Sequence, residues 1–126
     1  MKLNDENIIN ALREAHIFKN QNNYFYGKVI PNNNTILGYI INYTEEGIGI
    51  IPVSKMDKKP VPQNVLFITL NNLKRVNVTK AGFLKFKNIE IITNNDESIL
   101  INVSKNISSI KNYKDNLERF LSIYDR

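Results

Sequence analysis

From Tyr24 to Val103 the sequence alternates with a period of two, and residues that turn a chain break the runs at short intervals. Tyr24, Tyr26 and Lys28 alternate with Phe25, Gly27 and Val29, and Ile99, Ile101 and Val103 alternate with Ser98, Leu100 and Asn102. Successive side chains of an extended strand point to opposite faces, so each run reads as a strand. The breaks fix where the strands end. Pro31-Asn32-Asn33-Asn34, Thr44-Glu45-Glu46-Gly47, Ala81-Gly82 and Asn94-Asn95-Asp96-Glu97 are built from turn residues: Gly and Asn tolerate positive φ, and Pro holds φ fixed. Strands are predicted from Tyr24 to Ile30, Thr35 to Tyr43, Ile48 to Val53, Val65 to Leu70, Lys74 to Thr79, Phe83 to Ile92 and Ser98 to Val103. Most of the connections are too short for crossovers, so the sheet is predicted to be antiparallel. The second and third strands are apolar on both faces, which predicts cover on both sides for at least part of that pair.

Two segments carry the helical period instead. Asn4 to His16 is predicted to be a short helix: Asn4 or Asp5 can cap it, Asp5 and Glu6 complement its dipole, and Ile8, Ile9, Leu12 and His16 share a face. Toward the C-terminal end, Ile110, Tyr113, Leu117, Phe120, Leu121 and Tyr124 form an apolar stripe, with Lys111, Lys114, Asp115, Glu118 and Arg119 opposite and Ser108 or Ser109 as cap. Such a helix is unstable alone and is predicted to lie on the sheet. Ser54 to Asn64 has two prolines and no period, and reads as an exposed loop.

With 126 residues the chain fits one domain, 1–126, with a helix and connection over 1–20 and a β-rich body over 24–124. It contains no cysteine, which excludes disulfides, thiolate metal sites and cysteine nucleophiles and suits a reducing cytoplasm. Met1 to Asn7 is too polar for a signal peptide, and no apolar run approaches the roughly 20 residues of a membrane span. A cytoplasmic location and no transmembrane segment are therefore expected.

The net charge of +5 invites a polyanion as partner, but the abundance of Asn, Lys, Ile and Tyr is also what AT-rich codons produce. The basic residues that lie together are Lys74, Arg75, Lys80, Lys85 and Lys87, across two neighbouring strands and their turn. Lys85 and Lys87 share a strand face with Phe83 by period two, and together with Lys74 or Lys80 they would make a positive strip for phosphates or an acidic protein. The competing reading is a solvated face whose lysines blunt an edge strand. Lys28, Lys55, Lys58 and Lys59 are candidate contacts near the loops.

The remaining constellations favour structure over chemistry. His16 has no second histidine and no cysteine with which to share a metal. Gly47-Ile48-Gly49 precedes a strand and lacks the Gly-Lys-Ser/Thr of a phosphate loop. Glu45-Glu46 and Asp96-Glu97 sit at turns without the spacing of a calcium loop. The triplets Asn42-Tyr43-Thr44 and Asn77-Val78-Thr79 match a glycosylation pattern only as Asn-rich sequence does by chance. No metal, cofactor or catalytic set is predicted.

Val65-Leu66-Phe67-Ile68-Thr69-Leu70-Asn71-Asn72-Leu73-Lys74-Arg75-Val76, then Gly82-Phe83-Leu84-Lys85-Phe86, the hairpin Ile89 to Glu97, and Asn116-Leu117-Glu118-Arg119-Phe120-Leu121 resemble successive strands and the closing helix of bacterial pleckstrin-homology (PH)-like and GRAM-like domains. The resemblance covers residues 24–124. It implies an α+β fold, a bent antiparallel barrel of about seven strands closed by the C-terminal amphipathic helix, with Phe120 or Tyr124 where many members carry tryptophan. It also implies a non-catalytic binding or scaffolding module. The first hairpin offers Lys28 alone, a poor clamp for a multiply charged head group, so the expected partner is another protein, reached through an open sheet edge or the Asn-rich loops. The alternative is anionic lipid or nucleic acid on the basic strip. A Sm-like or other small barrel is the alternative fold, although it would carry its helix at the beginning.

Overall fold

Asn4 starts the first helix by accepting the Asn7 N–H on its side-chain oxygen at 2.9 Å. In the computed structural model, which describes residues 3–19, 23–81, 86–104 and 107–124, this helix is α1 (Asp5–Glu14). Ile8 and Leu12 are fully buried, as their spacing predicts. His16 is not on that face. It has φ 60° just past the C-cap Ala15, its N–H donates to the Arg13 carbonyl, and the Ile17 N–H donates to that of Leu12. These two bonds close the helix as a Schellman motif, which leaves His16 as an exposed, helix-ending residue.

Seven strands follow: β1 (Tyr24–Val29), β2 (Ile36–Thr44), β3 (Gly47–Ser54), β4 (Leu66–Thr69), β5 (Leu73–Ala81), β6 (Phe86–Thr93) and β7 (Ser98–Ser104). They form one curled antiparallel sheet in the order β4-β3-β2-β1-β7-β6-β5, a half-barrel closed by α2 (Tyr113–Tyr124). The expected α+β architecture is the one the chain adopts. The predicted turn at Gly82 and the strand residues Phe83 to Lys85 lie outside the described residues. The predicted loop from Ser54 to Asn64 is more ordered than its prolines suggest. Val61, which keeps its N–H between Pro60 and Pro62, donates to the Pro52 carbonyl at 2.8 Å, and Pro62–Asn64 forms a 3-10 turn.

The strand register explains why β1 to β3 are apolar on both faces. Phe25, Ile41 and Ile50 share one face; Tyr26, Ile40 and Ile51 share the other. Helix α2 covers the first, its Phe120 ring meeting Phe25 at 4.9 Å and Tyr43 at 5.4 Å between centroids. Helix α1 and its exit cover the second: the Tyr24 hydroxyl donates to Asp5, and the Asn42 amide donates to the Ile17 carbonyl at 3.1 Å. Gly49 makes this approach possible, because a Cβ there would stand 2.5 Å from Ile17 Cδ1.

The closing helix begins later than its stripe suggests, at Tyr113, and neither predicted serine caps it. The Ser109 hydroxyl instead donates to the Leu3 carbonyl at 2.7 Å, and the Lys111 N–H donates to Asp5 at 2.8 Å, tying the approach to α2 onto the start of α1. Asn112, at φ 62°, receives the first helical bond on its carbonyl from the Asn116 N–H. Polar groups then pin α2 to the sheet. The Asn116 amide donates to the Tyr24 carbonyl at 3.1 Å, Tyr43 donates to the Asn116 carbonyl at 2.8 Å, and Tyr113 donates to the Tyr26 carbonyl at 2.8 Å. Among the described residues, no helix is long and apolar enough to cross a membrane.

Candidate functional site

The sheet separates the basic residues that lie close in sequence. Register places Lys80 directly opposite Lys87, and both are exposed. Arg75 pairs with Ile92, and alternation turns it to the other face of β5, beside Asn77, whose amide donates to Glu90 at 3.2 Å. The Lys74 ammonium is 2.6 Å from the Asp96 carboxylate and holds that carboxyl below its usual range. Lys85 lies outside the described residues. Of the four strip residues described, the structure sets Lys80 and Lys87 side by side. Near the loops, Lys28 sits on β1 opposite Gly38 and Asn102. The exposed Lys55, Lys58 and Lys59 lie on the β3–β4 loop, which the Lys55 N–H joins to the Thr35 carbonyl of the β1–β2 turn.

A different surface has the form of a site. Where the C-terminal half of α2 passes the tip of the β2–β3 hairpin, a cleft of about 260 Å³ opens, lined in part by Tyr43, Glu45, Leu70, Arg119, Ile123 and Tyr124. Its formation follows from local rules. The hairpin turns tightly because the Thr44 hydroxyl accepts the Glu46 N–H at 3.1 Å and Gly47 takes φ 154°. Leu70 follows β4 in a 3-10 turn (Leu70–Asn72) and stays 48% exposed. Ile123, one turn beyond Arg119 on α2, is 41% exposed.

The floor of the cleft is aromatic. Tyr43 and Tyr124 line it, and the fully buried Phe120, outside the lining, stacks at a tilt on Tyr124 with centroids 4.8 Å apart and meets Tyr43 edge-on. Arg119 also lines the cleft and donates to the Asn23 side-chain oxygen at 3.2 Å. Burial pushes the Tyr43 hydroxyl up, with the Arg119 guanidinium pulling against it, and burial likewise raises Tyr124. The volume falls below the ~300–1,000 Å³ of small-molecule pockets and suits one or two apolar side chains. Glu45 and Arg119 at the rim can hydrogen-bond a polypeptide that carries them. Among the described residues, no group of three or more His, Cys, Asp or Glu side chains could hold a metal ion.

Sequence reasoning placed Tyr43, Leu70 and Ile123 within elements but did not bring them together, because they lie on three elements far apart in the chain. The signal available was slight: Leu70 ends an apolar run at a turn, and Ile123 falls off the predicted stripe of α2. Comparison with known proteins finds no family model, no curated protein and no solved structure that matches this chain.

Proposed function

We propose that this protein is a non-catalytic, PH-like binding module whose partner is another protein. The observation that carries the reading is the cleft between α2 and the β2–β3 hairpin, where exposed Leu70 and Ile123 flank an aromatic floor. Large apolar side chains beside a concave, pre-formed surface are what a partner's anchoring residue fills, and Arg119 and the tyrosines are residue types that recur at such anchors. The partner supplies an apolar side chain to the cleft and main-chain groups to Glu45 and Arg119. A second reading, polyanion binding, is favoured by the exposed Lys80–Lys87 pair.

The two readings separate on salt. A photo-crosslinking residue at position 123 is expected to form an adduct with a discrete protein in cells, lost when Leu70→Asp is added. Co-sedimentation with anionic vesicles and binding of a labelled oligonucleotide are expected to fail at physiological salt. Retention there, abolished by Lys80→Glu with Lys87→Glu, would replace the protein reading with the polyanion one.

A further inference from the structure

The two terminal strands of the sheet are protected very differently. Strand β5 carries Lys74, Arg75 and Lys80, and charges of this kind keep foreign strands off an edge. Strand β4 has no such guard: from Pro60 to Leu73 the chain contains no charged residue. Two of its neighbourhood's large apolar side chains, Leu66 at 43% and Leu70 at 48%, are exposed. Apart from β3, no strand pairs with β4 among the described residues.

Main-chain geometry states what this edge offers. The Leu70 N–H donates to the Glu46 carbonyl at 3.2 Å, in line with the register Gly47↔Thr69, Ile48↔Ile68, Gly49↔Phe67 and Ile50↔Leu66. Bonding alternates along an antiparallel ladder, so Ile68 and Leu66 bond inward to β3 and the N–H and C=O groups of Phe67 and Thr69 point out of the sheet. Two residues with outward groups, separated by one, match themselves under a two-fold rotation. Phe67 of one copy then exchanges both bonds with Thr69 of the other. That register sets Ile68 opposite its own equivalent and brings Leu66 beside the second copy's Leu70, the first residue of the 3-10 turn that follows the strand. The Ile68 pair falls at a non-hydrogen-bonded position, where opposed side chains come closest, and the leucines flank it on the same face.

We infer that β4 pairs antiparallel with β4 of a second copy of this chain, about a two-fold axis at Ile68, so that Leu66 and Leu70 cover each other across the seam. The inference rests on the reading of this side of the molecule as a protein-contact face. A copy fits better than an unrelated strand because the exposed leucines are spaced to meet each other. The neutral edge also sets no like charges of a +5 chain face to face. The pairing closes on itself, since the joined sheet ends on two charged β5 edges. With only Phe67 and Thr69 supplying bonds, the seam is smaller than a standard interface of ~1,200–2,000 Å², so the dimer is weak and concentration-dependent.

The chain contains no cysteine, which makes the register directly testable. Leu66→Cys and Leu70→Cys chains, each shown to fold by circular dichroism, are mixed under mild oxidation and run on a non-reducing gel. The mixed 66–70 disulfide is expected to accumulate several-fold faster than either homodisulfide. In sedimentation velocity the mass of the natural chain is expected to rise with concentration from 14.6 kDa toward double, with little effect of salt. Leu66→Lys with Leu70→Lys is expected to hold it at the monomer. Equal rates for all three disulfides, a monomer at the highest concentration reached, or a dimer that survives the double lysine change would each overturn the pairing. A monomer whose position 123 still cross-links to a discrete protein would sink self-pairing and leave the protein-binding reading standing. A dimer with the mixed disulfide but no adduct at position 123 would do the reverse.

Discussion

The Phe120 ring stands edge-on to that of Phe25, with centroids 4.9 Å apart and planes at 63°, and this pair fastens the closing helix to the strand in the middle of the sheet. Both side chains are fully buried. Phe120→Ala is expected to cost about 3–5 kcal/mol, the range for emptying a core aromatic position. Urea unfolding followed by circular dichroism checks this, and Phe120→Leu should recover a large part of the loss.

The Tyr26 hydroxyl is buried with no hydrogen-bond partner among the described residues, and burial pushes its pKa up to about 12. A raised pKa in the folded state means a contribution to stability that is complete below the unfolded value of 10.0 and lost as pH climbs through about 12. Tyr26→Phe removes the stranded hydroxyl, so the variant should match or exceed the natural protein at neutral pH, by up to about 1–3 kcal/mol. Its melting temperature should also fall less steeply across that alkaline window. Some decline will remain, because burial raises Tyr24 and Tyr113 too.

Lys80 and Lys87 face each other across β5 and β6, a like-charge pair at directly opposed positions. Lys87→Glu turns the pair attractive and is expected to raise stability by about 0.2–1 kcal/mol. Lys80→Glu with Lys87→Glu restores like charges and should show no such gain. Thermal melts at low and high salt decide it, because salt should narrow the difference.

Gly47 has φ 154°, and a Cβ there would lie 2.1 Å from the Ile68 carbonyl oxygen. Gly47→Ala is expected to cost about 1–3 kcal/mol, the scale of one strained backbone site. The loss should be local. Amide exchange at Leu66, Ile68 and Leu70, whose N–H groups hold β4 to β3, should accelerate more than exchange in β6 and β7.

The parts of the fold that follow from short-range pattern were legible in the sequence. Period-two runs and their turns gave all seven strands, and the stripe through Leu117 and Phe120 gave the closing helix. Two-sided burial of β2 and β3 was readable from their continuous apolar character, although which helix covers which face was not. Part of what the sequence leaves unread comes from partners distant in the chain. Ser109 does not cap α2 because its hydroxyl is bound to Leu3, and Lys74 pairs at the surface with Asp96, a partner 22 positions away. Arg75 and Lys80 stand five positions apart on one strand, an odd separation that turns them to opposite faces. The cleft was invisible because Tyr43, Leu70 and Ile123 converge only after the sheet has curled.

Asp5 accepts the Tyr24 hydroxyl on one carboxylate oxygen and the Lys111 N–H on the other, a contact spanning 106 positions of chain. The order of assembly follows. The hairpins of this sheet close between neighbours and can form early, whereas the Lys111 bond to α1 waits until β7 is in place and the chain has crossed toward α2. A ten-residue helix is too short to persist alone, so α1 holds its shape only on the sheet face that buries Ile8 and Leu12. Helix α1 is thus fastened twice, first by neighbours in sequence and then by a distant one, and in refolding the Lys111 contact should form after the hairpins.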